Sequence, residues 1–309
     1  MNSPNLSERR RQKSQRNVMK GPCNTEKQTR LVALAAAFLL LCQNSAFAKC
    51  VDDWLAIDEI RDSDSIELLA TNNQEFPITY SVRVRSGGYS TGHSKTISKS
   101  LDGQETERVV VLPRDKDASD DRLRISCSWT IGNEDAVHDN DHLYRLPYAD
   151  GMSYRVLQGF GSRFSHRGVE QYAVDFKMSV GTPVHAARGG VVARVVESND
   201  KGCWEDGCGK YANFIVVMHD DGTTGEYYHL QQDGALVDVG ERVVEGQKIG
   251  LSGNTGHTAL PHLHFAVYRA TKGARSQSIP INFMSADGVV YQPRRGHHYL
   301  AVAYQQAGD

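Results

Sequence analysis

Apolar and polar positions alternate with a period of two along much of this chain, in short runs broken by glycine and acidic turn residues. Between residues 72 and 132 such runs fall at 78–84 (Ile78-Thr79-Tyr80-Ser81-Val82-Arg83-Val84), 95–98, 108–112 and 122–131. A period of two places successive side chains on opposite faces, so these runs predict half-buried antiparallel strands. Turn chemistry separates them at Ser86-Gly87-Gly88, at Asp102-Gly103 and across a polar loop over 114–121. A small β-sandwich-like unit follows from this spacing. Only Trp129 in it suggests a ligand platform, and a scaffold is the plainer reading. The polar stretch 132–142 reads as a linker, and Leu146-Pro147-Tyr148 opens a second region. That region is strand-like at 191–196, 213–218, 225–228, 242–244, 248–250 and 263–268, rich in glycine and without helical periodicity. The predicted fold class is mainly β: a small N-terminal β-sandwich-like domain over 49–145, a β-rich domain over 146–285, and a surface-lying C-terminal tail over 286–309.

One segment breaks the alternation. Residues 31–41 (LVALAAAFLLL) are an unbroken apolar block, shorter than the roughly 18 residues a membrane-spanning helix needs. Residues 1–48 carry eight Lys or Arg against two Glu and end in Ala46-Phe47-Ala48. A basic flank, a short apolar block and small residues before a cut site predict a signal peptide over 1–48, cleaved after Ala48. The chain is then exported, periplasmic or secreted, with no stable membrane span after cleavage. A buried core helix is the bland alternative for the block. Leu41 before Cys42 argues against lipid attachment there, and Met19 offers a later start. Without the leader, 27 basic and 35 acidic side chains remain, a net charge of −8 that argues against a nucleic-acid partner. Cys50, Cys127, Cys203 and Cys208 also remain, in a compartment that permits disulfides. Cys203 and Cys208 enclose four residues, so a local clip is the simplest pairing, leaving Cys50 for Cys127. Their spacing lacks the paired two-residue gaps of structural zinc. The oligomeric state is not legible.

The chemistry begins at His262-Leu263-His264, followed by Phe265-Ala266-Val267-Tyr268. On a strand both imidazoles point to one face, where one can bind a metal and the other can serve the same cleft. Taken alone, an incidental pair of surface histidines fits the pattern as well. Five more blocks precede it: Gly161-Ser162-Arg163-Phe164-Ser165-His166, Tyr172-Ala173-Val174-Asp175-Phe176, Gly181-Thr182-Pro183-Val184, Tyr228-His229-Leu230 and Ser252-Gly253-Asn254-Thr255-Gly256. In this order, within residues 159–268, the six resemble the lysostaphin-type, or β-lytic, zinc endopeptidases of peptidoglycan. The resemblance implies a β-rich peptidase domain with an open groove. It implies one Zn²⁺ held by His166, Asp175 and His264, with a fourth position open for water. It also makes His229 and His262 the catalytic pair, sharing the proton of the attacking water and the charge of the tetrahedral intermediate. Three protein ligands and an open position are the usual design of catalytic zinc. Many family members carry the aspartate four residues after the first histidine, where this chain has Glu170. Asp175 is preferred because its distance to Gly181-Thr182-Pro183-Val184 fits the family pattern, and Glu170 stays the alternative ligand. Leu260 replaces a frequent small residue before Pro261.

Other residues have plainer readings. His185, His219 and His257 could line the groove but read as ordinary surface or hydrogen-bonded histidines. Glu226 and Asp220-Asp221 read as a solvated hairpin turn, and Tyr227 and Tyr228 as half-buried strand tyrosines. The resulting expectation is a zinc metalloendopeptidase whose partners are peptidoglycan peptides. A non-catalytic relative that binds the wall or regulates amidases is the alternative from another class, and a secreted protease acting on Gly-rich proteins is a third. A glycyl bond and a D-alanyl to diamino-acid cross-link both remain open as the bond cleaved.

Overall fold

The computed structural model describes residues 52–87, 94–115 and 122–303. The leader, Cys50 with its expected pairing to Cys127, most of the 114–121 loop and the end of the tail lie outside them. Among the described residues nearly all regular structure is strand, with two short 3-10 helices at Gly168–Glu170 and Cys208–Tyr211. No described helix is long and apolar enough to cross a membrane.

The N-terminal part is built of two three-stranded antiparallel sheets. Leu55–Arg61, Ser65–Asn72 and Thr106–Pro113 make one; Lys95–Leu101, Ile78–Ser86 and Leu123–Ile131 make the other. Alternation drives both. In Ser65–Asn72 every second residue is buried, and Ile66, Leu68 and Ala70 meet Ile78, Tyr80 and Val82 in one core. Each large aliphatic side chain so buried contributes roughly 1.5–3 kcal/mol. The last inward position is Asn72, fully buried, whose amide donates to the carbonyls of Phe76 (2.8 Å) and Asp102 (3.0 Å). The first two strands lie ahead of the span predicted from the alternation, because Asp58-Glu59 and Asp62-Ser63-Asp64 interrupt the apolar pattern. Trp129 is occupied structurally: it stacks on Trp54 at 4.8 Å, and its indole N–H donates to Asp52 at 2.6 Å.

A nine-stranded sheet organises the rest. Its order is Arg242–Val243, Gly190–Val196, Phe214–Met218, Thr224–Tyr228, Leu263–Thr271, Val174–Phe176, Ser153–Gln158 and His298–Leu300, with Arg275–Ser278 paired to Leu263–Thr271. One face carries Val156, Phe176, Ile215, Val217, Tyr227, Leu263, Phe265 and Val267, packed in one core with Val184, Leu230 and Ile249 of a small sheet formed by Pro183–His185, Lys248–Ser252 and Leu230–Ala235. At one end of the opposite face, Val191, Ala193, Phe214, Val216 and Met218 pack into the sandwich core. The described part of the tail is mostly exposed but carries two strands that alternation did not declare. Gly288–Val290 pairs with Asn282–Ser285, His298–Leu300 pairs with Ser153–Gln158, and Ala301 is buried. Strands of three residues are too short for a period of two to declare itself.

Candidate metal centre and its cleft

Strand register assembles the centre. Gln158 stands opposite Asp175, Asp175 opposite His264, and His264 opposite Tyr228, so four neighbouring strands present one row of side chains on one face of the sheet. Directly opposed residues have Cβ atoms about 5 Å apart, close enough for their side chains to share a ligand. The alternation that sends Leu263 and Phe265 into the core sends His264 to the other face.

His166 arrives from the loop after Phe164-Ser165. Its Nδ1 lies 3.2 Å from the Gly159 carbonyl, which fixes the hydrogen there and aims a bare Nε2 at Asp175 Oδ1, 3.2 Å away. That Nε2 is buried and has no hydrogen-bond partner. Nδ1 of His264 lies 2.9 Å from the same Asp175 oxygen. One ligand atom from each of His166, Asp175 and His264 can be chosen so that all lie within 4.8 Å of one another. Two imidazoles, one of them with an orphaned buried nitrogen, and a carboxylate are the donor set of a metal site.

The surrounding bonds orient this set. Gln158 Nε2 donates to Asp175 Oδ2 at 2.6 Å and to Ser165 at 2.9 Å, while Ser162 donates to its carbonyl oxygen at 3.0 Å. His264 Nε2 is 3.4 Å from Glu170, which also accepts from the Tyr268 hydroxyl. Glu170 therefore meets the side of His264 turned away from Asp175, and it is not a member of the three-residue cluster. Burial opposes ionisation of Asp175, but the hydrogen bond from His264 and the imidazoles gathered round the carboxylate hold its pKa well below the ordinary value. Burial likewise works against a charged His264, yet its bonds to Asp175 and Glu170 raise its pKa to about 10.

His229 occupies the single position between Thr224–Tyr228 and Leu230–Ala235, where the chain leaves the large sheet for the small one. Its φ of 65° is left-handed, a strain of order 1–3 kcal/mol for a residue with a Cβ. The ring is pinned through Nδ1 to the Thr255 carbonyl at 2.7 Å. Gly256 permits that carbonyl's placement: its φ is +85°, and a Cβ there would sit 2.6 Å from the Ala212 side chain. His262 is pinned in the same way, Nδ1 to the Leu260 carbonyl at 2.8 Å, with Nε2 3.8 Å from Asp175 Oδ1. The two rings are 4.5 Å apart between centroids. Burial lowers the pKa of both, that of His229 to about 3 with repulsion from His262 and His264 added.

All four of Asp175, His229, His262 and His264 line a cleft of about 310 Å³. Its wall includes Phe164 and Trp204, stacked at 5.4 Å, and His257, whose ring is 4.4 Å from Trp204. The Cys203–Cys208 disulfide closes the loop that carries Trp204. Of the other histidines, His185 is bonded to the Gly246 carbonyl and His219 is buried against Thr223, so neither faces the cleft. Glu226 is no solvated turn residue. It sits within Thr224–Tyr228, accepts from Tyr228 (2.8 Å) and Thr224 (3.1 Å), and burial raises its pKa to about 6. Tyr227 is fully buried, its hydroxyl accepting from Ala187 N–H at 2.8 Å. Sequence reasoning passed over Gln158, Trp204, Arg155 and Arg295, all of which line the cleft.

Residues 169–278 match the sequence model of Peptidase family M23. The match starts just after His166 and encloses Asp175, His229, His262 and His264. Peptidoglycan DD-endopeptidase ShyA of Vibrio cholerae is 32% identical over 144 residues, 45% of this chain and 29% of that protein. Glycyl-glycine endopeptidase ALE-1 of Staphylococcus capitis is 37% identical over 138 residues, 44% of this chain and 35% of that protein. The catalytic domain of lysostaphin from Staphylococcus simulans, a solved structure, shares 32% identity over 40% of this chain and 88% of that chain, with a TM-score of 0.31. The chain thus spans about a third of the length of these two curated relatives. The strands that carry Asp175 and His264, and the corner that carries His229, belong to a Peptidase M23 domain over residues 169–278.

Proposed function

We propose that this chain is a zinc-dependent endopeptidase that hydrolyses peptide bonds in the stem or cross-link peptides of peptidoglycan. The observation that carries the reading is the convergence of ligand atoms from His166, Asp175 and His264 within 4.8 Å, beside two further histidines, in a cleft open to a peptide. His166, Asp175 and His264 would hold one Zn²⁺, which when bound supplies an acidified water and an electrophile for the scissile carbonyl.

The chain's own residues account for the proton. In His229 and His262 the Nδ1 hydrogen is committed to a backbone carbonyl, so each neutral ring presents a lone pair at Nε2. Burial keeps both rings neutral near pH 7, able to accept the proton of an attacking water and return it to the departing amine. While protonated, such a ring offers an N–H and a positive charge to the developing oxyanion. Gln158 and Glu170 orient Asp175 and His264.

The basic leader with its apolar block at 31–41 supports export, with a signal peptide over 1–48 and action where wall polymer is found. In this reading residues 49–145 are the scaffold domain and 146–285 the peptidase domain. The direct test is digestion of purified peptidoglycan by the protein spanning residues 49–309, with released fragments weighed by mass spectrometry. Release that stops with a chelator and returns with zinc is the expected result. Intact sacculi at every zinc level would overturn the proposal.

A further inference from the structure

The cleft carries a charge opposite to that of the protein around it. Residues 49–309 have a net charge of −8, yet the cleft is lined by Arg155 and Arg295, and Asp175 is the one acidic residue among its lining. Both arginines are exposed, and neither side chain has a hydrogen-bond or ion-pair partner among the described residues. An arginine that braces a fold is normally spent on a carboxylate or carbonyl, as Arg188 is on Asp221 at 2.5 Å. These two are not.

Their placement is set by the same sheet. Arg155 lies on Ser153–Gln158, directly opposite His298 of the last strand, and Arg295 lies in the turn that leads into that strand. The tail, read from the sequence as mostly surface-lying, thus brings a second guanidinium to the cleft. Along the strand, Arg155 precedes Gln158, the residue bonded to Asp175, by three positions, roughly 10 Å at a rise of about 3.3 Å per residue. That is a separation of two or three substrate residues from the metal cluster. Phe164, Trp204 and Leu260 give the wall apolar surface, and apart from Asp175 no other lining residue is a carboxylate that could compete for the guanidiniums.

Unpaired guanidiniums at the edge of an apolar cleft favour a planar anion held through paired N–H donors. An oligoglycine bridge has no side chains and no carboxylate within it. A cross-link through a diamino dicarboxylic acid keeps that residue's second carboxylate free and close to the scissile amide, and acidic stem peptides carry others. We propose that Arg155 and Arg295 form a carboxylate-recognition subsite that directs this cleft to acidic stem peptides cross-linked through a diamino dicarboxylic acid, and away from glycyl bridges. The inference rests on the peptidase reading of the same cleft.

The experiment compares kcat/KM on three purified substrates: a cross-linked muropeptide dimer with the diamino-acid carboxylate free, the same dimer with that carboxylate converted to its amide, and a pentaglycine peptide. It is run with the zinc-loaded protein and with the double variant Arg155→Gln/Arg295→Gln, which changes only exposed side chains. A charge-assisted bidentate contact predicts a preference for acid over amide on the order of tenfold, falling to about one in the variant. The pentaglycine peptide is the poorest of the three. Equal rates on acid and amide, or an undiminished preference in the variant, overturn the subsite while leaving the peptidase standing. Hydrolysis of pentaglycine in preference to both dimers overturns the direction of specificity. Failure to cleave any of the three removes the peptidase reading, and this inference with it.

Discussion

Each imidazole at the centre has one nitrogen tied back to the protein, and that tie decides what the other nitrogen can do. Gly159, Thr255 and Leu260 supply carbonyls to His166, His229 and His262, while Glu170 takes the far side of His264. Such outer contacts commonly change metal affinity by about 10–100-fold. Glu170→Gln, which keeps shape but removes the charge, is expected to weaken zinc binding by roughly tenfold in a chelator competition. An unchanged dissociation constant would mean that the contact with His264 does not matter. Glu226 gives a pH signature. Its pKa rises from an ordinary carboxyl value to about 6 on burial, so the folded state holds the proton more tightly than the unfolded chain. Its contribution is complete below the unfolded pKa and is lost as pH rises through 6. Glu226→Gln should therefore stabilise the fold by about 1–2 kcal/mol above pH 7 and by nothing at pH 4, read from denaturant unfolding at both. A loss of stability at pH 7 would contradict this.

At the scale of elements, what was legible depended on length and repetition. Long strands such as Ile78–Ser86 and Leu263–Thr271 were visible as alternation, and the latter carries His264. The row Gln158, Asp175, His264, Tyr228 was only half legible, because it is fixed by register between strands distant in sequence, two of them short. Gln158 has no motif of its own and could not be found without that register. The left-handed φ of His229 was equally hidden, since it belongs to a corner between two sheets. Trp204 was passed over because its position depends on the Cys203–Cys208 clip, which holds it beside Phe164 and His257. Closing so short a loop stabilises by about 2 kcal/mol in the chain-entropy picture. Replacing both cysteines with serine is expected to raise KM severalfold with little change in kcat, because the loop shapes the wall and touches neither His229 nor His262. A matching fall in kcat with KM unaltered would place the loop in the chemistry instead.

For the whole molecule, the contact between sandwich and peptidase sheet sets limits on regulation. Ala193 and Val216 of the large sheet are buried within the sandwich core, whereas none of the described residues between 52 and 145 lines the cleft. A fragment starting at residue 146 would expose that apolar face, so it is expected to show a lower melting temperature and to aggregate, with no gain in activity per folded molecule. A soluble fragment more active than the longer protein would reveal an inhibitory sandwich. Activity should depend on the centre formed by His166, Asp175 and His264, and bound zinc and muropeptide release measured together, in the protein spanning residues 49–309 and in its His264→Ala variant, test that dependence. One zinc per chain with release of cross-link fragments is expected in the first, and loss of both in a variant that still unfolds cooperatively. A folded His264→Ala protein that keeps its zinc and continues to release fragments would contradict it.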